Sequence, residues 1–114
     1  MKARLMVFGR KERFEELEAV VDTGATFTKI PQEVASRLGL EPRYDAEVEL
    51  GDGRRVMRRL ALAEVEISGV RRPVLVAVGS EGEPASVGYT TLEVLGFKVN
   101  PVTGRLERTA AIEY

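Results

Sequence analysis

The sequence of 114 residues contains no cysteine and no histidine. The first absence excludes disulfides, thiol catalysis, iron–sulfur clusters and cysteine-ligated zinc. The second removes Ser–His and Cys–His nucleophiles together with histidine-ligated metals. Tryptophan is also missing, aromatic residues make up only 6% of the chain, and the formal net charge is −1. The chain thus lacks the basic excess and interleaved aromatics of a nucleic-acid binder. No run approaches the ~20 apolar residues of a membrane span, so no membrane association is expected. Met1 to Phe8 reaches Gly9-Arg10-Lys11 too soon for the apolar region of a signal peptide, and a cytoplasmic location is expected. Chemistry is left to carboxylates, Lys, Arg, Tyr and hydroxyls, with carboxylates foremost and no metal or cofactor.

What is present suits one domain over residues 1–114. Apolar residues at 44% and charged residues at 31% are ordinary for a globular protein. A chain of this length can bury a core without metal or disulfide support. Leu5 to Phe8 is a short apolar run, and from Phe14 the pattern alternates. Leu17, Ala19 and Val21 share one face while Glu16 and Glu18 share the other, which predicts a hairpin with the first run. Thr26 to Ile30 reads as a further strand. Pro31 to Gly39 reads as a helix with proline at its first position, Glu33 in its first turn, Arg37 in its last and Gly39 as its stop.

Ala46 to Leu50 alternates again before Gly51-Asp52-Gly53, and the Asp-Gly pair predicts a two-residue mirror-image turn. In the returning arm, Arg54 to Ile67, Leu60 and Leu62 share the parity of Glu64 and Glu66. A bulge or a switch between sheets near Ala61 to Ala63 would account for it. Val70 to Val78 is a strand ending in the Gly79–Pro84 loop. Thr90 and Glu93 have capping-box spacing for a second helix stopped by Gly96. Phe97-Lys98-Val99 and Arg105-Leu106-Glu107 flank an Asn100-Pro101-Val102-Thr103-Gly104 turn. The fold class is mainly β with two short helices.

Of three aspartates, Asp45 and Asp52 sit in loop or turn contexts, whereas Asp22 follows the apolar strand end Val20-Val21. A carboxylate there is expected to be partly desolvated, a costly placement that usually marks a function or a partner. Thr23 adds a hydroxyl and Gly24 permits close approach.

Val20-Val21-Asp22-Thr23-Gly24-Ala25-Thr26 resembles the active-site loop of retropepsin-like aspartic proteases, single-domain relatives of the viral proteases. Ala63 to Gly69 followed by Val74 to Gly79 resembles the strand pair after that family's flap. Val87 to Phe97 resembles its hydrophobic-Gly segment, C-terminal helix and following strand, and Gly51-Asp52-Gly53 falls where the flap tip belongs. The likeness runs from about Leu17 to Leu106, and is greatest to small prokaryotic members with an Asn/Asp-Pro-Val-x-Gly turn after the last helix. Tyr89-Thr90 stand where viral relatives usually place Arg, Asn or Asp, and the flap tip is shorter and more polar than theirs.

The resemblance implies a closed β-barrel with one lobe per chain and an aspartic endopeptidase acting on peptide or protein substrates. Such chemistry needs two carboxylates across one water, one ionised to take its proton and one protonated to polarise the scissile carbonyl. A single Asp-Thr-Gly in so short a chain then requires a two-fold homodimer, each copy supplying Asp22. Thr23, Gly24 and Ala25 would support the active-site loop, Thr23 by bonding to the partner's loop and Gly24 by leaving room for substrate and water. Gly51, Asp52 and Gly53 would close over the peptide.

The competing reading is a catalytically silent dimeric module that binds extended peptides by strand addition. The intact Asp22-Thr23-Gly24 favours the enzyme. Arg54, Arg55, Arg58, Arg59, Arg71 and Arg72 form the densest cationic group and read as a solvated sheet surface. Gly79-Ser80-Glu81-Gly82 has no lysine and carries glutamates that repel phosphate, so it is not a phosphate loop.

Overall fold

The alternating stretches form strands in the computed structural model, which describes residues 1–114. Strands β1 (Lys2–Phe8) and β2 (Phe14–Val21) are joined through a 3-10 turn at Arg10–Glu12 and pair antiparallel from Lys2↔Val20 to Phe8↔Phe14. Ala19 is buried and Leu17 and Val21 are half-buried, with Glu16 and Glu18 exposed, as the alternation requires. Strand β3 is Thr28–Ile30, two residues shorter than expected, because Thr26 and Phe27 form a bend that belongs to the preceding loop. Helix α1 (Gln32–Arg37) follows Pro31, and Gly39 just beyond it has a positive φ of 67°.

Strands β4 (Tyr44–Glu49) and β5 (Arg55–Ile67) form the central hairpin, β6 is Val70–Val78, and β7 is the two-residue Ser86–Val87. Helix α2 (Tyr89–Leu95) ends on the left-handed Gly96 and leads into β8 (Phe97–Val99), which pairs with β9 (Leu106–Arg108). The main sheet runs β1-β2-β7-β3-β6-β5-β4, and an added β1–β5 pairing closes six of these strands into a ring. The expected closed barrel therefore takes the form of a ringed sheet, with β4 outside the ring and β8–β9 as a separate ribbon.

Two local expectations are corrected. The β4–β5 connection is not a two-residue mirror-image turn. Leu50 N–H donates to Arg54 O (2.7 Å) and Gly53 N–H to Leu50 O (2.9 Å), giving a three-residue loop. Only Gly53, at φ +88°, is left-handed, as in a turn that ends in a glycine bulge. The parity change in β5 also needs no bulge. Its register with β6 is unbroken from Leu60↔Ala77 to Ile67↔Val70. The first half of the strand pairs with β4 and the second with β1, so the buried face changes where the neighbour changes, at the adjacent buried residues Leu60 and Ala61.

The core is a single cluster of 18 buried apolar residues. It draws on β1 (Leu5, Val7), β5 (Val65, Ile67), α1 (Val34, Ala35) and α2 (Leu92, Leu95). Each fully buried Leu, Ile or Val contributes roughly 1.5–3 kcal/mol. The only buried polar residues are Thr28 and Thr91, both fully inaccessible, and no buried side-chain polar atom lacks a partner.

Candidate active site

The sheet order positions the Asp22 loop. Strands β2 and β3 flank that loop in sequence, yet β7 lies between them, parallel to β2 and antiparallel to β3. Asp22 is the first residue beyond β2, and its N–H still donates to Val87 O (2.9 Å). The Asp22 Oδ1 accepts the Gly24 N–H (3.0 Å), and the Asp22 carbonyl accepts the Ala25 N–H (3.2 Å). Asp22, Thr23 and Gly24 are exposed and Ala25 is half-buried. The partial desolvation expected of Asp22 is thus absent in a single copy, because the loop projects past the rim of the sheet.

Beneath the loop, the start of α2 acts as a clamp. Tyr89 N–H donates to Ala25 O (2.7 Å), Thr90 N–H to Thr26 O (3.1 Å), and the Thr90 hydroxyl to the same Thr26 carbonyl (2.6 Å). Gly88 N–H donates to Thr28 Oγ1 (3.0 Å), which is also bonded to Thr91 Oγ1 (2.6 Å). The Tyr89-Thr90 pair therefore holds the loop with backbone amides and one neutral hydroxyl. The capping box expected at Thr90 and Glu93 does not form. Gly88 is the N-cap, Thr90 is spent on Thr26, and Glu93 accepts from the Tyr89 hydroxyl. That bond to a carboxylate pushes the Tyr89 pKa above its usual value.

The Thr28–Thr91 pair was not anticipated as part of the site. Its signal in the sequence was parity: Thr28 shares the inward face of β3 with Ile30, and an inward hydroxyl needs a partner. The partner lies 63 residues away and could not be named from local pattern.

Gly51, Asp52 and Gly53 are all exposed at the hairpin tip and make no hydrogen bond to the Asp22 loop. The tip's hydrogen bonds are internal, with Asp52 accepting from Arg54 N (3.0 Å) and Arg54 Nε (2.6 Å). These bonds, led by the one from the Arg54 backbone, hold the Asp52 carboxyl below its usual pKa.

The arginine group is only partly the solvated surface expected. Arg55 meets Glu47 and Glu49, Arg59 meets Asp45, and Arg71 meets Glu64 while lying 3.5 Å over the Phe8 ring. Arg58 is the exception, largely buried and bidentate to Glu83 (2.9 and 3.0 Å). Lys29 Nζ donates to the same carboxylate (2.9 Å), as does Ser80 N (2.6 Å). Glu83 is held down to about 2, first by the Lys29 hydrogen bond and then by Arg58 and Ser80, against the opposing effect of burial.

No helix is long and apolar enough to cross a membrane. No curated protein gives a significant match to the chain. The family model described as aspartyl protease matches residues 4–96, a span that contains the Asp22 loop, the β4–β5 hairpin, the Gly88 segment and α2. On that match, which bears out the resemblance to aspartic proteases, the chain belongs to the aspartyl protease family.

Proposed function

We propose that the chain is an aspartic endopeptidase active as a two-fold homodimer, with Asp22 of each copy facing a shared water. The observation that carries this reading is an exposed carboxylate on a loop held by three hydrogen bonds from Tyr89 and Thr90, with Gly88 anchoring Thr28 at the loop's far end. A charge left accessible on so firmly held a loop suits a group that must meet substrate in a fixed geometry. Two carboxyls brought together across an axis cannot both ionise, so the pair holds one proton between them. The ionised Asp22 takes a proton from water, and the water oxygen bonds to the scissile carbonyl carbon. The protonated Asp22 stabilises the developing oxyanion. Collapse breaks the C–N bond as a proton passes to the leaving amine. Thr23 and Gly24 lie at the surface that would meet the partner and the substrate, and the Gly51–Gly53 tip would cover the bound peptide and exclude water.

The firm hold on the loop favours the enzyme over a silent peptide-binding module, since binding an extended peptide by its backbone does not require a positioned carboxylate. The test is cleavage of a diverse peptide mixture read by mass spectrometry across about pH 3 to 7, with wild type beside Asp22→Asn. Cuts made by wild type and missing from the variant are expected. Silence of a folded, dimeric wild type at every pH would turn the reading to peptide binding, and equal cutting by both proteins would remove Asp22 from the mechanism.

A further inference from the structure

The Lys29–Glu83–Arg58 cluster carries a charge imbalance on the same face of the sheet as the approach to Asp22. Ser86 is the Cα partner of both Val20 and Lys29, Lys29 is also paired with Ala77, and Ala77 with Leu60. Directly paired residues project to one face. Val20, Ser86, Lys29, Ala77 and Leu60 therefore form a row across five strands. Asp22 lies two residues beyond the Val20 end, and Arg58 two residues from the Leu60 end. Two strand spacings put Lys29 roughly 10 Å from Val20, and an extended peptide advances about 7 Å for every two residues. A side chain roughly two or three residues from a bond held at Asp22 thus reaches the Lys29 position. Between Val20 and Lys29 the row holds only the small, half-buried side chain of Ser86.

The charges in this cluster do not cancel. Glu83 is saturated by two bonds from Arg58, one from Lys29 and one from Ser80 N. Lys29 uses one of its three ammonium protons on Glu83, so two remain to be donated. The two cationic side chains are only 24% and 12% exposed, so the one-charge excess is poorly hydrated and is completed best by an added anion.

We propose that this excess positive charge selects peptides with an acidic side chain two or three residues from the scissile bond, Lys29 donating to the incoming carboxylate. The inference rests on the peptidase reading of Asp22, and its test has one arm that works without catalysis. In the first arm, a proteome-derived peptide mixture is cut by wild type and the cut sites are aligned. Asp and Glu are expected to be enriched about tenfold over Asn and Gln at one such position, the scale of a charge-assisted hydrogen bond. Lys29→Met abolishes the enrichment and Lys29→Arg retains it. Glu83→Gln doubles the excess charge and raises the enrichment. Mere structural damage would lower it in both Lys29→Met and Glu83→Gln, so the opposite signs separate electrostatic selection from a scaffold role.

In the second arm, the same mixture is passed over immobilised Asp22→Asn, with and without Lys29→Met. Preferential retention of acidic peptides that requires Lys29 supports the proposal even if wild type cuts nothing, in which case the peptidase reading alone fails. Cutting without acidic enrichment overturns the proposal and leaves the peptidase standing. Enrichment that persists in a folded Lys29→Met also overturns it, and so does equal retention of acidic and neutral peptides in a chain that cuts nothing.

Discussion

A methyl group added at Gly88 would stand 2.3 Å from the Phe27 carbonyl carbon and 2.8 Å from the Thr28 nitrogen, both backbone atoms that cannot step aside. Gly88→Ala is therefore expected to push β7 and the Asp22 loop apart, costing about 3 kcal/mol in chemical denaturation. Thr28→Val keeps the shape of the side chain but leaves Gly88 N–H and the Thr91 hydroxyl buried without their partner. A loss of about 2–4 kcal/mol is expected. Thr28→Ser restores most of it and the Thr28→Val/Thr91→Val double variant restores part, which a double-mutant cycle of unfolding free energies would measure.

Glu83 gives a pH-dependent counterpart at the same scale. Its folded pKa, about 2, lies below its ordinary 4.5, so ionisation favours the folded state above about pH 5, and the advantage is lost as pH falls toward 2. Glu83→Gln is expected to be about 1–2 kcal/mol less stable than wild type near neutral pH, an effect reduced by partial solvent exposure. The gap should close progressively in denaturation series run from about pH 5 down to pH 2. Asp22 stands out as a candidate in the sequence because an acidic residue after an apolar strand end breaks a local rule. Lys29 and Glu83 break none, since a lysine and a glutamate 54 residues apart each look like ordinary surface until the fold joins them.

Among the elements, the β4–β5 hairpin and α2 do different work. The hairpin is closed by the Leu50–Arg54 pair and depends on the left-handed Gly53. Gly53→Ala is expected to cost about 1 kcal/mol, because a Cβ disfavours φ near +88° although nothing lies within 4 Å of it. Amide exchange at Leu50 and Gly53 would report this as local opening about fivefold more frequent, with the core amides unaffected. Helix α2 spends its first turn on another segment of chain, with the Tyr89 and Thr90 amides bonded to the Asp22 loop. That is why the capping-box spacing misled: Thr90 had a nonlocal carbonyl to satisfy. The positions of most strands were legible from period-two alternation. The two-residue β7 was not, because so short a segment has no period.

At the scale of the whole molecule, the ring closed by β1 and β5 leaves Asp22 exposed at one place on its surface. In the proposed mechanism the second carboxylate comes from a second copy. Titrating wild type with Asp22→Asn provides a direct check. If each active unit needs two intact carboxylates, an equal mixture that exchanges subunits freely retains about a quarter of the activity, whereas independent monomers retain about half. Specific activity should also fall on dilution below the dimer dissociation constant. A half-activity mixture, with no dependence on concentration, would place the whole chemistry in one copy.

The sequence by itself determined the family and most of the secondary structure. The absence of Cys and His left carboxylates as the main candidates, and Asp22-Thr23-Gly24 after Val20-Val21 marked one of them. Alternation located the main strands because a half-buried strand must repeat every two residues. Only the tertiary structure decided what holds the loop and what charge lies beside it. It inserts β7 between β2 and β3, buries Thr28 against Thr91 and brings Lys29 and Arg58 to one carboxylate. These contacts join segments that are individually unremarkable and, for Thr28 and Thr91, 63 residues apart. Local sequence restricts backbone conformation over a few residues, whereas the partner of a buried hydroxyl or a saturated carboxylate is chosen by closure of the whole sheet.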